Sequence, residues 1–137
     1  MKITKALLLL SIILFFAPKE ISASDGFLIH LSSNDPHRVS MALTFALKMS
    51  ANHDVFVYVD VAGVEAVVKG SESIRFKDFE ATRTIIDKLV KAGVKISVCK
   101  MCLEALGHSQ YDLIGGLKII EESDFNFTPG RIISLDY

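Results

Sequence analysis

The chain has 137 residues, which at about 150 residues per domain implies one domain. Half of its residues are apolar and 23% are charged, a globular balance that rules out wholesale disorder. Fifteen Lys plus Arg face 16 Asp plus Glu, so the formal net charge is -1. Without a basic excess to neutralise a phosphate backbone, nucleic acid is not an expected partner.

The mean hydropathy of +0.40 is high for a soluble chain, and most of the excess sits in the first twenty residues. Residues 1–23 read as a secretory signal peptide. Lys2 and Lys5 form a positive start, and residues 6–17 are apolar apart from Ser11. That run of 12 residues is too short to cross a roughly 30 Å hydrocarbon core as a helix. Pro18, Lys19 and Glu20 end it, and Ile21-Ser22-Ala23 offers a small residue at the cleavage position. An uncleaved membrane anchor is the alternative. No cysteine follows the run, so a lipoprotein anchor is not expected. Cleavage leaves one domain, residues 24–137, with 12 basic and 15 acidic residues and a net charge of -3. No later stretch approaches membrane-spanning length. The expected mature protein is soluble, periplasmic or secreted, and makes no membrane contact after signal removal.

Phe27, Leu28, Ile29 and Leu31 mark a strand buried on both faces, as in parallel sheets. Asp35-Pro36 then supplies a helix N-cap and a proline at the first helical position, predicting a helix over residues 36–50. Val39, Leu43, Ala46 and Leu47 mark one face of it, and Met41, Phe45 and Met49 another. Between Arg38 and Lys48 it carries no charge. A helix apolar nearly all round is buried nearly all round, and a second subunit is a natural cover.

Residues 55–59 form a second strand, β-branched and aromatic. A short helical stretch over residues 64–68 and a polar loop follow. Asp78 is expected to cap a helix over residues 79–91, with Phe79, Ile85, Ile86, Leu89 and Val90 inward and Arg83, Asp87 and Lys91 spaced for ion pairs on the wet side. Gly93 stops it. Residues 94–98 are a third strand, ended by Cys99, and residues 100–106 a helix closed by Gly107. Residues 117–120 and 132–135 are strand candidates, while residues 112–116 stay open between helix and loop. No internal repeat or low-complexity segment is visible.

This β-α-β-α-β-α-β-β alternation implies an α/β fold with a mostly parallel sheet covered on both faces. Chemistry in open sheets of this kind gathers beyond the carboxyl ends of the strands. Three such ends are readable: Ser32 to Asp35, Asp60 to Gly63, and Cys99.

Cys99-Lys100-Met101-Cys102 is the one constellation with clear chemistry. A thiol at a strand-to-helix turn sits near the positive end of the helix dipole, and Lys100 adds a neighbouring charge, both favouring thiolate. Cys99, at the mouth of the turn, is the candidate nucleophile. Cys102 is a resolving thiol or plain core, since free cysteine is often buried and inert. A disulfide closing so small a loop would constrain the unfolded chain little. The four histidines (His30, His37, His53, His108) lack paired metal-ligand spacing, so neither a metal nor a cofactor is expected. Nucleophile-elbow, Walker A and dinucleotide patterns are absent. Ser32-Ser33-Asn34 is read as a capping loop rather than an anion site.

The opening strand, polar loop and long apolar helix (residues 27–50), the second strand with Gly63, and Val98-Cys99 followed by a helix and Gly107 together resemble the DsrE/DsrF-like family. The resemblance covers the mature chain. It implies a three-layer α/β/α sandwich with a mostly parallel, about five-stranded sheet, and assembly as a homo-oligomer, trimer or hexamer. It also implies sulfane sulfur carried as a persulfide on the cysteine at this strand end, here Cys99, exchanged with a donor or acceptor protein. Two features depart from the family pattern: the export signal, and Cys102, which many members lack. A neighbouring thiol can attack a persulfide, releasing sulfide and leaving a disulfide. The leading expectation is therefore an exported sulfur carrier. The alternatives are a periplasmic thiol–disulfide oxidoreductase using Cys99 and Cys102, and a non-catalytic oligomeric binding module. Against the thioredoxin type, no Trp precedes the pair and only one strand follows Thr128-Pro129.

Overall fold

A computed structural model describes residues 25–126 and 130–137. The export segment and Thr128-Pro129 lie outside the described residues. The strands are β1 (Gly26–Leu31), β2 (Asp54–Val59), β3 (Lys95–Val98), β4 (Lys118–Ile119) and β5 (Ile132–Asp136). They form one sheet in the order β4-β3-β2-β1-β5, and every pairing is parallel. The helices are α1 (Pro36–Met49), α2 (Thr82–Lys91) and α3 (Lys100–Ala105). The architecture is the expected α/β sandwich.

Alternation along the strands sorts the two faces. Ile29, Leu31, Val57, Val59, Ile96 and Val98 are all buried, in one cluster with Val39, Leu43 and Ala46 of α1 and Ile85, Ile86 and Leu89 of α2. Each such side chain contributes roughly 1.5–3 kcal/mol by leaving water. The residues between them, His30, Tyr58 and Ser97, point to the other face. β4 and β5 lie at opposite edges, so the connection between them must cross that face. Its 3-10 turn Glu122–Phe125 does so. Phe125 meets Phe56 and Tyr58 edge-on, with ring centroids 5.6 and 5.9 Å apart. Asp124 is buried beneath it and accepts from Lys118 Nζ at 2.7 Å, the Glu121 amide at 2.9 Å and Ser97 Oγ at 3.1 Å.

Helix α1 starts as its sequence dictates: Asp35 Oδ1 accepts from the Arg38 amide at 3.0 Å, with Pro36 in the first turn. Asn34 donates to Glu65 and Ser33 accepts from the Asp35 amide, so this loop is occupied by capping contacts. Within one chain α1 is not covered all round. Met41 is exposed, and Phe45 and Met49 are half-buried.

Helix α2 starts three residues later than expected, and Asp78 is not its cap. Phe76 and Phe79 turn back against His37, which stacks on Phe76 at 4.5 Å, and this aromatic cluster holds residues 76–79 out of the helix. The first amides of α2 are taken instead by the Ile74 carbonyl (from Thr82, 2.9 Å) and Ser73 Oγ (from Arg83, 3.3 Å). Arg83 likewise does not serve an ion pair along the helix. Its guanidinium donates to the carbonyls of Val68 and Ser71, pinning the preceding loop. Asp112 ends a 3-10 turn, Gln110–Asp112, and residues 113–116 are not helix: the turn leads into an antiparallel bridge between Leu113 and Val68. Among the described residues, no helix is long and apolar enough to cross a membrane.

Candidate active site

Cys99 continues β3 for one step before the chain turns. Its amide donates to the Val59 carbonyl at 2.9 Å, and its own carbonyl accepts from the Leu103 amide at 3.1 Å, opening α3. The side chain caps that helix, with Sγ accepting from the Cys102 amide at 3.4 Å. Cys99 is 8% exposed, Cys102 is half-buried, and both are free thiols.

Burial works against a thiolate at Cys99. The Cys102 thiol and amide, the Tyr58 hydroxyl and the Met101 amide outweigh it, and together they bring the Cys99 pKa below its ordinary value. Cys102 moves the other way. Its S–H is engaged by the Cys99 sulfur and burial adds to the shift, so its pKa is raised although the Val61 backbone opposes this. The pair is thus divided into one sulfur favoured as thiolate and one held as thiol.

Local backbone geometry moderates this division. Val61 has φ +44°, a left-handed conformation that a β-branched residue rarely adopts and that carries strain of about 1–3 kcal/mol. This kink is where the Val61 backbone meets the Cys102 sulfur. Two residues on, Gly63 lets the same loop close onto β1: a Cβ there would stand 2.3 Å from the Leu31 carbonyl oxygen.

Tyr58 is pushed up to about 12, first by burial and then by the negative charge of Cys99 and Asp60, so it stays a hydroxyl donor. The His30 ring stacks on it at 5.4 Å, with 14° between the planes. His30 Nε2 lies 2.9 Å from Asp60 Oδ1, and Nδ1 lies 2.7 Å from Asp136 Oδ1. Burial lowers the His30 pKa, but the two carboxylates prevail and raise it overall.

The two cysteines singled out from sequence are therefore adjacent, at the carboxyl end of the sheet. Lys100 does not contribute as expected: it turns outward along α3, with Nζ 3.8 Å from Glu104 Oε1. Of the histidines, His37 lies against Phe76 and His53 meets the Asp25 carbonyl. Among the described residues, no group of three or more His, Cys, Asp or Glu could hold a metal ion. Sequence reasoning passed over Tyr58 and His30. Their signal was a polar tip at every second position of apolar strands: His30 in β1, then Tyr58 and Asp60 at the end of β2. Met101 is 78% exposed and Val61 59% exposed, giving the site an apolar rim.

Fold and site together define a parallel α/β domain with a pair of cysteines at a strand end. The pattern of the DsrE/DsrF-like family matches residues 26–126, and the chain belongs to that family. Among solved structures it is similar to the protein of unknown function MTH1491 from Methanobacterium thermoautotrophicum. That match is 20% identical with a TM-score of 0.60, covering 72% of this chain and 83% of that one. It is also similar to the ychN protein from E. coli, 15% identical with a TM-score of 0.63, covering 83% of this chain and 100% of that one. At these identities the likeness concerns the fold. Curated protein sequences give no match.

Proposed function

We propose that this chain is an exported sulfur carrier that accepts sulfane sulfur on Cys99 and holds it as a persulfide, with Cys102 as the resolving thiol. One observation carries the reading: the Cys99 sulfur sits at the strand end surrounded by donors (the Cys102 amide and thiol, the Tyr58 hydroxyl and the Met101 amide) that favour its anion. Family membership supports a sulfur-relay role.

The chemistry balances without a cofactor. The Cys99 thiolate attacks the outer sulfur of a persulfide or polysulfide donor, whose S–S bond breaks. The donor leaves as a thiolate or, from a polysulfide, as the anion one sulfur shorter, and is protonated from water, while Cys99 keeps the sulfur. For discharge, a Cys102 thiolate attacks the Cys99 Sγ and expels hydrosulfide. This leaves a Cys99–Cys102 disulfide that an external dithiol must reduce.

The contact between the two sulfurs also favours a second reading, thiol–disulfide exchange with protein substrates. Intact mass after exposure of the reduced chain to polysulfide separates the two. A gain of about 32 Da that is lost in Cys99→Ser supports the carrier. A loss of about 2 Da, with no sulfur-loaded species at any time, supports exchange. Neither change would indicate a structural pair in a binding module.

Export rests on residues 1–23, and the secreted chain should begin at or within about two residues of Ser24. Assembly as a homo-oligomer rests on the α1 face of Met41, Phe45 and Met49, which one chain leaves half-open, and its being a trimer or hexamer rests on the family alone. Light scattering that gives a strict monomer at high concentration would contradict it.

A further inference from the structure

We propose that His30 is a positioning residue for the cysteine pair: held as an imidazolium between Asp60 and Asp136, it offsets the carboxylate that bears on Tyr58 and Cys102, fixes the ring of Tyr58, and so keeps Cys99 as its anion. This rests on the reading of Cys99 as the nucleophile.

A neutral imidazole has one N–H and one bare nitrogen. Here both nitrogens lie at ion-pair distance from carboxylate oxygens, Nδ1 hydrogen-bonded to Asp136 at 2.7 Å and Nε2 2.9 Å from Asp60 without hydrogen-bond alignment. A neutral ring would set a lone pair against one of those oxygens. The arrangement therefore selects the doubly protonated form, although the ring is largely out of water. Without that charge Asp60 would act unopposed on its other neighbours, and its field already disfavours ionisation of both Tyr58 and Cys102.

The groups facing this cluster are few. β2 contributes Tyr58, the residue just after β2 is Asp60, β5 contributes Asp136, the end of β3 contributes Cys99 and α3 contributes Cys102. From the crossing segment, Phe125 meets Tyr58. Lys100 is turned away toward Glu104. No other cation in this set balances Asp60. The second route is steric. The His30 ring lies flat on Tyr58, whose hydroxyl donates to Cys99, so the stack holds the donor in place.

The test reads alkylation of Cys99 in the reduced full chain by iodoacetamide, resolved by peptide, from acidic to alkaline pH. No sulfur donor is present, so failure of persulfide loading and failure of this inference are separate results. His30→Gln keeps a planar polar group without the charge. Alkylation of Cys99 in mildly acidic solution should slow roughly three- to tenfold, with the whole profile moved to higher pH. Asp60→Asn should move it to lower pH. The two opposite shifts should cancel, returning the double variant close to wild type, which loss of packing would not produce. An unchanged profile in His30→Gln, or a double variant as slow as His30→Gln alone, overturns the proposal. If His30→Gln fails to fold, Asp136→Asn decides. Asp136 is 72% exposed, so its replacement should be tolerated. It should slow Cys99 alkylation by weakening the imidazolium, and an unaltered profile there also overturns the proposal.

Discussion

The backbone N–H of Cys102 points at the sulfur of Cys99 across 3.4 Å, so the second cysteine of the pair helps to ionise the first. The same proximity raises the Cys102 pKa. In the reduced protein near neutral pH, Cys99 should therefore alkylate faster than Cys102. In the proposed mechanism, discharge of a persulfide needs the Cys102 thiolate, so the lifetime of the loaded state should shorten as pH rises through the Cys102 titration. Cys102→Ser should load normally, lengthen that lifetime and remove its pH dependence. Timed intact-mass measurements read both effects. Equal lifetimes in the variant and wild type would remove Cys102 from the mechanism.

Tyr58 supplies the one hydroxyl donor to Cys99 identified among the described residues. Tyr58→Phe keeps the ring stacked on His30 and deletes only that bond. Its expected effect is a several-fold slower alkylation of Cys99 below neutral pH, with a stability loss of about 1 kcal/mol or less. Denaturant unfolding and peptide-resolved alkylation measure the two separately. A large stability loss with unaltered reactivity would make Tyr58 a packing residue.

Gly63 carries no side chain because the Leu31 carbonyl occupies the space: a Cβ would meet that oxygen at 2.3 Å. The two nearest atoms, the Leu31 carbonyl oxygen and carbon, are backbone, so neither can swing aside. Gly63→Ala should destabilise the chain by about 1–3 kcal/mol and disturb the Val61 kink that borders Cys102. Thermal unfolding checks the first effect. Cys102 alkylation, freed from its backbone partner, checks the second.

Much of this arrangement was legible in the sequence. Asp35-Pro36 fixed the start of α1 because the cap chemistry is local. Gly93 and Gly107 marked helix ends that do adopt positive φ, +76° and +78°. Cys99 was placed by the end of an apolar run. The start of α2 was misplaced because its first amides are satisfied by Ser73 and Ile74, and because Phe76 and Phe79 answer to His37, some forty residues away in the chain. Lys100 was assigned to Cys99 by adjacency alone, whereas helical geometry offers it Glu104. The His30, Tyr58 and Asp60 cluster depends on strand order and register, with His30 opposite Tyr58 in the β1–β2 pairing. Periodicity does not encode that pairing.

Asp124 locks the crossing segment to β3 and β4 and makes stability depend on acid. Burial opposes its ionisation, but Lys118, the Glu121 amide, Ser97 and Lys95 prevail and lower its pKa from 3.8 to about 2. The unfolded carboxylate thus takes up its proton at higher pH than the folded one. Its contribution is fully present above the unfolded value and is lost as pH falls from there toward about 2. Asp124→Asn should lower stability at neutral pH and flatten the acid limb of the stability curve. Urea unfolding at several pH values measures it, and an unchanged acid limb would show that other groups govern acid sensitivity.

The central claim is that Cys99 carries sulfur, and site-resolved mass spectrometry of the polysulfide-treated full chain tests it most directly. Under non-reducing conditions with rapid alkylation, the added sulfur of about 32 Da should map to Cys99 in wild type, persist there in Cys102→Ser, and vanish in Cys99→Ser. Added sulfur on Cys102 alone, or wild-type loading in Cys99→Ser, would contradict the account.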